Sequence, residues 1–224
     1  MIDALIFDFD GVIIDNESPD FRTWQETFRH YDAELDRSLW VNAIGAGREA
    51  FDIYQHLEDS TGVKRDREAV RLQRRRRYLD LVEASPILPG VMEYILEARC
   101  LGLRLGVASS SSRAWVEGHL MRRGLLKHFD CIKAAEDVSR VKPDPELYAA
   151  WVAQFGIRPP DAVAIEDSAN GVSAAKQAGL FCVAVPNRMT RELPLDQADI
   201  RLEALTDMPL GALVERANGR HGGS

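Results

Sequence analysis

The sequence predicts an α/β protein, a doubly wound parallel sheet with an α-helical domain inserted after its first strand. Two features predict it. From residue 91 onwards short apolar runs alternate with helix-patterned stretches, the rhythm of βα units. Between the first apolar run and that rhythm lies a long block with helical spacing only. The boundaries expected are 1–15 and 85–224 for the sheet-bearing core and 16–84 for the helical insert.

Each element has a local reason. Ala4-Leu5-Ile6-Phe7 is a short apolar run ended by Asp8-Phe9-Asp10-Gly11, which reads as a buried strand. Gly11 to Asp15 forms a second apolar stretch, broken by Asn16-Glu17-Ser18-Pro19. From about Asp20 to Glu83 the pattern is helical, with Phe21, Trp24 and Phe28 at helix spacing and a loop over Ile44-Gly45-Ala46-Gly47-Arg48. Ser85-Pro86-Ile87-Leu88-Pro89-Gly90 is rich in breakers and marks the return to the core. Helices are then expected at 91–101, 115–123 and 168–178, with Gly102, Gly124 and Gly179 as their stops. Asp144-Pro145 opens a further helix, with Asp144 as N-cap and Pro145 at its first position. Strands are expected at 104–108, 130–133, 162–165 and 181–185, and a loose tail at 217–224.

Composition sets the class. The chain has 224 residues, 46% hydrophobic and 28% charged, as in an ordinary globular protein. A formal net charge of −7 argues against wholesale nucleic-acid binding, so an anionic ligand needs local Lys, Arg or metal. Cys100, Cys131 and Cys182 are far apart and show no zinc or CxxC spacing; free thiols and a cytoplasmic location are expected. No segment has the length of a membrane span. Oligomeric state is open, with a monomer compatible.

Four sites fall at or just past strand ends: Asp8 with Asp10, Ser109, Lys142, and Glu166 with Asp167. In a parallel sheet these ends share one edge, so residues distant in sequence converge. Burying so many carboxylates is costly unless a cation compensates, and an all-oxygen donor set suits Mg²⁺. A carboxylate can attack phosphorus, a second can move protons, and serine and lysine can hold phosphoryl oxygens. Any one of these residues has an ordinary reading: aspartate is common in turns, serine at helix starts and lysine on surfaces. Their joint placement at strand ends is what separates them from that background.

The ordered set DFDGV, ASS, VKPDP and IEDS resembles the haloacid dehalogenase-like phosphatase superfamily, in particular its beta-phosphoglucomutase and phosphoglycolate-phosphatase branch. The resemblance spans the chain, since the insert corresponds to that family's helical cap. It implies Asp8 as nucleophile and Asp10 as general acid/base whose backbone carbonyl also ligates Mg²⁺. It further implies Ser109 and Lys142 as phosphate-binding residues and Glu166 and Asp167 as metal carboxylates. Ser110, beside Ser109, and Arg48, in the insert, are further candidates for phosphate contact. The implied activity is hydrolysis of a small phosphate monoester through an aspartyl-phosphate. A sugar-phosphate mutase is the nearest alternative. Mutase-type members carry lysine at the position of Ile44 and histidine at that of Asp20, and this chain has neither. Carbon–halogen hydrolysis and a non-catalytic phospho-switch are more distant alternatives.

In the run Arg74-Arg75-Arg76-Arg77, Leu72 and Leu79 suggest an inward stripe, with Arg75 and Arg76 between them. One of these arginines is expected to snorkel or pair with an acid. Trp24 reads as core of the insert.

Overall fold

The computed structural model describes residues 1–46 and 51–219, with only the backbone of 42–46. Six parallel strands form one sheet: β1 (Ala4–Phe7), β2 (Arg104–Ala108), β3 (Cys131–Lys133), β4 (Ala162–Glu166), β5 (Phe181–Ala184) and β6 (Ile200–Arg201), in spatial order β3-β2-β1-β4-β5-β6. The chain first walks outward from β1 to β3, then returns to place β4 on the other side of β1. That reversal opens a crevice at the carboxyl ends of β1 and β4, where ligands bind in sheets of this kind.

Nine α-helices are present among the described residues: α1 (Glu17–His30), α2 (Arg37–Ala46), α3 (Ile53–Thr61), α4 (Arg67–Ala84), α5 (Val91–Cys100), α6 (Arg113–Arg122), α7 (Glu146–Gln154), α8 (Ala169–Gln177) and α9 (Leu210–Gly219). Helices cover both faces of the sheet, which is why the central strands are continuously apolar. In β1, Leu5 and Phe7 join a core with α5, α6 and α9, while Ala4 and Ile6 join a second core with α7 and α8. The period of two along the strand divides the two layers.

The insert has its own cluster, built on Phe21, Trp24, Phe28, Leu35, Trp40, Leu57 and Val70, and Met189 reaches it from the loop after β5. Two connections join it to the sheet-bearing part and run side by side. Ile14 bridges Ile87, and the Leu88 amide donates to the Ile13 carbonyl at 3.0 Å.

Several elements differ from expectation. Residues 44–46 continue α2 rather than forming a loop. The inward stripe of α4 consists of Val70, Arg74, Tyr78 and Val82, at spacings of four; Leu72 and Leu79 are exposed. Arg74, not Arg75 or Arg76, pairs with an acid, Asp20, and lies 4.4 Å over the Trp24 ring. Strand β6 and helix α9 are additional elements. Residues 217–219 belong to α9: Ala217 is buried and Asn218 accepts from the Ile2 amide at 2.8 Å. The rest of the expected tail lies outside the described residues. Helix α7 starts at Glu146, with Pro145 in the cap position, and Asp144 accepts from the Glu146 amide at 3.1 Å.

Gly106 in β2 is a point of close approach. A Cβ there would sit 1.9 Å from the indole nitrogen of Trp151, which is fully buried and donates to the Cys131 carbonyl at 3.1 Å. Gly106→Ala is therefore expected to cost about 1–3 kcal/mol through overpacking. Urea unfolding checks this; an unchanged midpoint would show that α7 shifts freely.

Candidate active site

The carboxyl edge of the sheet gathers the predicted residues. Asp8 follows β1 directly and its amide still donates to the Ile165 carbonyl of β4 at 2.9 Å. Glu166 ends β4 and Asp167 follows it. Asp8, Glu166 and Asp167 are all buried, each with a carboxylate oxygen within 4.8 Å of the others. Burial is the largest influence on Glu166 and raises its pKa to about 7, with repulsion from Asp8 adding and Lys142 opposing. Asp167 is held well above the ordinary carboxylate range by burial and by the Asp8 and Glu166 charges.

Lys142 is the counter-charge. Its ammonium lies 2.7 Å from Asp8 Oδ1, 2.7 Å from Glu166 Oε1 and 2.7 Å from the Ala108 carbonyl. Three acceptors match its three protons. Burial would lower its pKa, but Asp8 and Glu166 outweigh that and hold it above the lysine range. Three carboxylates against one ammonium leave a negative excess. Glu166 Oε2 is buried without a hydrogen-bond partner. These residues fit a hard divalent cation, with oxygen donors and surplus negative charge.

Two glycines make room for the acids. A Cβ on Gly11, which has φ +85°, would sit 2.3 Å from Asp167 Oδ2. One on Gly171 would sit 1.8 Å from Glu166 Oε2. Neither position admits a side chain without displacing a carboxylate.

Asp10 is placed differently. Its carboxylate stands outside the Asp8–Glu166–Asp167 cluster. Oδ1 accepts from Asn16 Nδ2 at 2.7 Å and Trp115 Nε1 at 2.9 Å. Oδ2 accepts from Ser111 Oγ at 2.5 Å and, more weakly, Ser109 Oγ at 3.3 Å. Burial, then the Asp8 charge, raises its pKa despite these donors. Only its backbone carbonyl is left for the ligand role that the resemblance implies.

Ser109 is buried at the end of β2, where its hydroxyl accepts from the Ser111 amide at 3.0 Å. Ser110 is exposed beside it. Arg48 lies outside the described residues, and the side chain of Ile44 is likewise not described.

Several residues around the site had no place in the sequence reading. Tyr148 donates to Glu166 Oε1 at 2.5 Å. Asn187 donates to Asp167 Oδ2 at 2.6 Å, and Thr190 supports the same oxygen at 3.4 Å. Asn187 lies just past β5, so reading that strand end like those of β1, β2 and β4 would have found it; Lys142, expected just past a strand, instead lies in the loop before α7, beyond the 3-10 turn Ala135–Asp137 that follows β3. Ser111 lies within the run of four serines 109–112. Asn16 and Trp115 carried no strand-end signal, because their role depends on where their helices pack.

Beneath Trp115 lies His119, buried on the same helix and in edge contact with the indole at 4.2 Å between centroids. Its Nδ1 faces the guanidiniums of Arg122 and Arg123 at 3.1 and 3.0 Å, with Glu83 at 3.8 Å. Burial, then the two arginines, lowers its pKa from 6.5 to about 4.

The chain matches the family model "Haloacid dehalogenase-like hydrolase" over residues 5–185. It is 41% identical to "Putative phosphatase YhcW" of Bacillus subtilis (strain 168), covering 99% of this chain and all of that one. It is 31% identical to the validoxylamine A 7'-phosphate phosphatase of Streptomyces hygroscopicus subsp. limoneus, over 93% and 96% of the two chains. Among solved structures, CbbY from Rhodobacter sphaeroides in complex with phosphate superposes with a TM-score of 0.72 at 31% identity, covering 92% of this chain and 96% of that one.

His119 gives a pH prediction. The folded protein holds fewer protons there than the unfolded chain, so its contribution to stability is complete above pH 6.5 and is lost as the pH falls towards about 4. His119→Gln is expected to flatten the acid limb of a stability-versus-pH curve. An unchanged limb would locate acid sensitivity elsewhere.

With a matching family model, relatives matched almost end to end and the strand-edge constellation in place, this chain is an enzyme of the haloacid dehalogenase-like hydrolase family.

Proposed function

We propose that the chain is a Mg²⁺-dependent phosphatase that hydrolyses a small phosphorylated metabolite through an aspartyl-phosphate. The observation that carries the reading is Lys142 bound to both Asp8 and Glu166 at the crevice between β1 and β4. It holds one oxygen of a buried carboxylate and leaves the other for attack. The names of the relatives support phosphate-ester chemistry: two carry the word phosphatase, and a further relative, hexitol phosphatase B of Escherichia coli (strain K12), is 31% identical over 92% of this chain.

Asp8 attacks phosphorus in line, its Oδ2–P bond forming as the ester P–O bond breaks. Asp10, whose raised pKa favours the acid form, gives its proton to the leaving oxygen. Asp10 then takes a proton from water as that water attacks phosphorus and the Asp8–P bond breaks. Lys142 and Ser109 face the phosphoryl oxygens and offset their charge. Asp8, Glu166, Asp167 and the Asp10 carbonyl would hold Mg²⁺, which when bound neutralises charge on the phosphoryl group. Ser110 and Arg48 are further phosphate contacts in this reading. The insert, residues 16–84, serves as the cap that excludes bulk water, and 1–15 with 85–224 serve as the catalytic core.

Hydrolysis is favoured over phosphoryl transfer between sugar positions by Asp20. Where mutase-type members carry histidine, this chain has a buried acid committed to Arg74. Dehalogenation is disfavoured because it needs neither an acid at Asp10 nor a carboxylate cluster.

The test is incubation of purified protein with Mg²⁺ and a panel of phosphorylated metabolites, following phosphate release and isomer formation separately. Phosphate release without isomerisation is expected, with loss on chelation and recovery on Mg²⁺ addition. Asp8→Asn should lower turnover by at least ~10³-fold while the protein stays folded. Isomer formation without net release would establish the mutase instead, and full turnover by Asp8→Asn would remove Asp8 as nucleophile.

A further inference from the structure

We propose that Trp115 is a positioning residue that orients the Asp10 carboxylate, and that the insert holds Trp115 in place through Tyr78. The inference rests on the reading of Asp10 as the group that moves protons.

The four donors to Asp10 divide by origin. Ser109 and Ser111, which serve Oδ2, lie on the loop between β2 and α6. Both donors to Oδ1 are tied to the insert. Asn16 is the residue before α1; it stands at the N-cap position but makes no side-chain cap bond, and its amide goes to Asp10 instead. Trp115 is on α6, yet its ring lies parallel to Tyr78 of α4, with 6.0 Å between centroids and 7° between planes. An offset stack of this kind orients a ring as well as burying it. His119 meets the indole edge-on at 4.2 Å.

Helix α6 is also fastened to the far end of α4. Arg123 donates to the Val82 carbonyl at 2.8 Å and the Ser85 carbonyl at 3.1 Å, and Arg122 pairs with Glu83 at 2.9 Å. The indole is thus set by contacts to α4 on two sides, along its own face and through the end of its helix.

The chemistry of the donors gives Trp115 a distinct task. Hydroxyls donate or accept, and a carboxamide offers both functions by turning over, whereas an indole N–H only donates. The Trp115 contact therefore fixes Oδ1 as an acceptor and leaves Oδ2 to the two hydroxyls. Without it, rotation of the carboxylate is limited by Asn16 and by the serines, which tolerate either orientation.

Trp115→Phe keeps an aromatic ring on this face of α6 and removes the N–H donor together with one ring of the indole. With p-nitrophenyl phosphate and Mg²⁺ it is expected to lower kcat on the order of 10-fold, with KM changed by less than about twofold. Tyr78→Leu should lower kcat in the same sense, and the double variant should lose less than the two effects multiplied together. A second measurement needs no turnover. The protein has four tryptophans, so ¹⁵N-indole labelling gives few N–H resonances, and the one missing in Trp115→Phe is assigned. That resonance should move in Asp10→Ala and in Tyr78→Leu while those of the other tryptophans stay. The proposal is overturned if the Trp115 resonance is unmoved in Asp10→Ala, or if Trp115→Phe keeps wild-type kcat. Because the resonances are read on resting protein, they decide the placement of Trp115 even where the wild type hydrolyses no ester, the result that would sink the phosphatase reading instead.

Discussion

A single buried ammonium makes the rest of the site possible. Asp8, Glu166 and Asp167 are buried side by side at the edge of the sheet, where lost hydration and the neighbouring charges raise the pKa of Glu166 and Asp167. Lys142 binds two of them and the Ala108 carbonyl, so its three protons are all used and its charge is placed where it neutralises most. It offsets part of the charge and no more. The remaining negative excess, with a buried Glu166 oxygen lacking a partner, is what a divalent cation would complete.

The sheet topology brings this charge together. Strands β1 and β4 are neighbours although the insert and two βα units separate them in sequence, and the chain reverses direction across the sheet at that point. Their ends carry the polar groups while the strands themselves remain apolar and buried. The close quarters are visible at Gly11 and Gly171, where a single methyl group would strike a carboxylate.

The two aspartates of the first motif end in unlike surroundings despite a spacing of two residues. Asp8 faces Lys142, whereas Asp10 faces four donors that are neutral. Asp8 meets a buried ammonium, whereas burial raises the pKa of Asp10. The insert contributes to the second environment through Asn16 and, by way of Tyr78, through Trp115. Its own packing is a separate matter: Trp24 lies in its core, and Arg74 seals Asp20 against it.

The sequence by itself determined the α/β class, and it marked a helical block after the first strand and Asp8, Asp10, Ser109, Lys142, Glu166 and Asp167 as candidates. These follow from local signals, since strand ends, breakers and charged residues after apolar runs are all written within a few neighbouring positions. It did not determine β6, which is too short to show a period, or α9, whose glycines and polar end resemble a tail. It also misassigned the inner face of α4, because Leu72 and Leu79 suggested a stripe by hydrophobicity alone. The structure turned Arg74 inward because Asp20 and the Trp24 ring together compensate its charge. The residues that tune the site without lying at a strand end, Tyr148, Asn16 and Trp115, were decided by tertiary packing. Each acts through one polar atom on a side chain far from its partner in sequence or turned by its helix, and such contacts have no local pattern from which to be read.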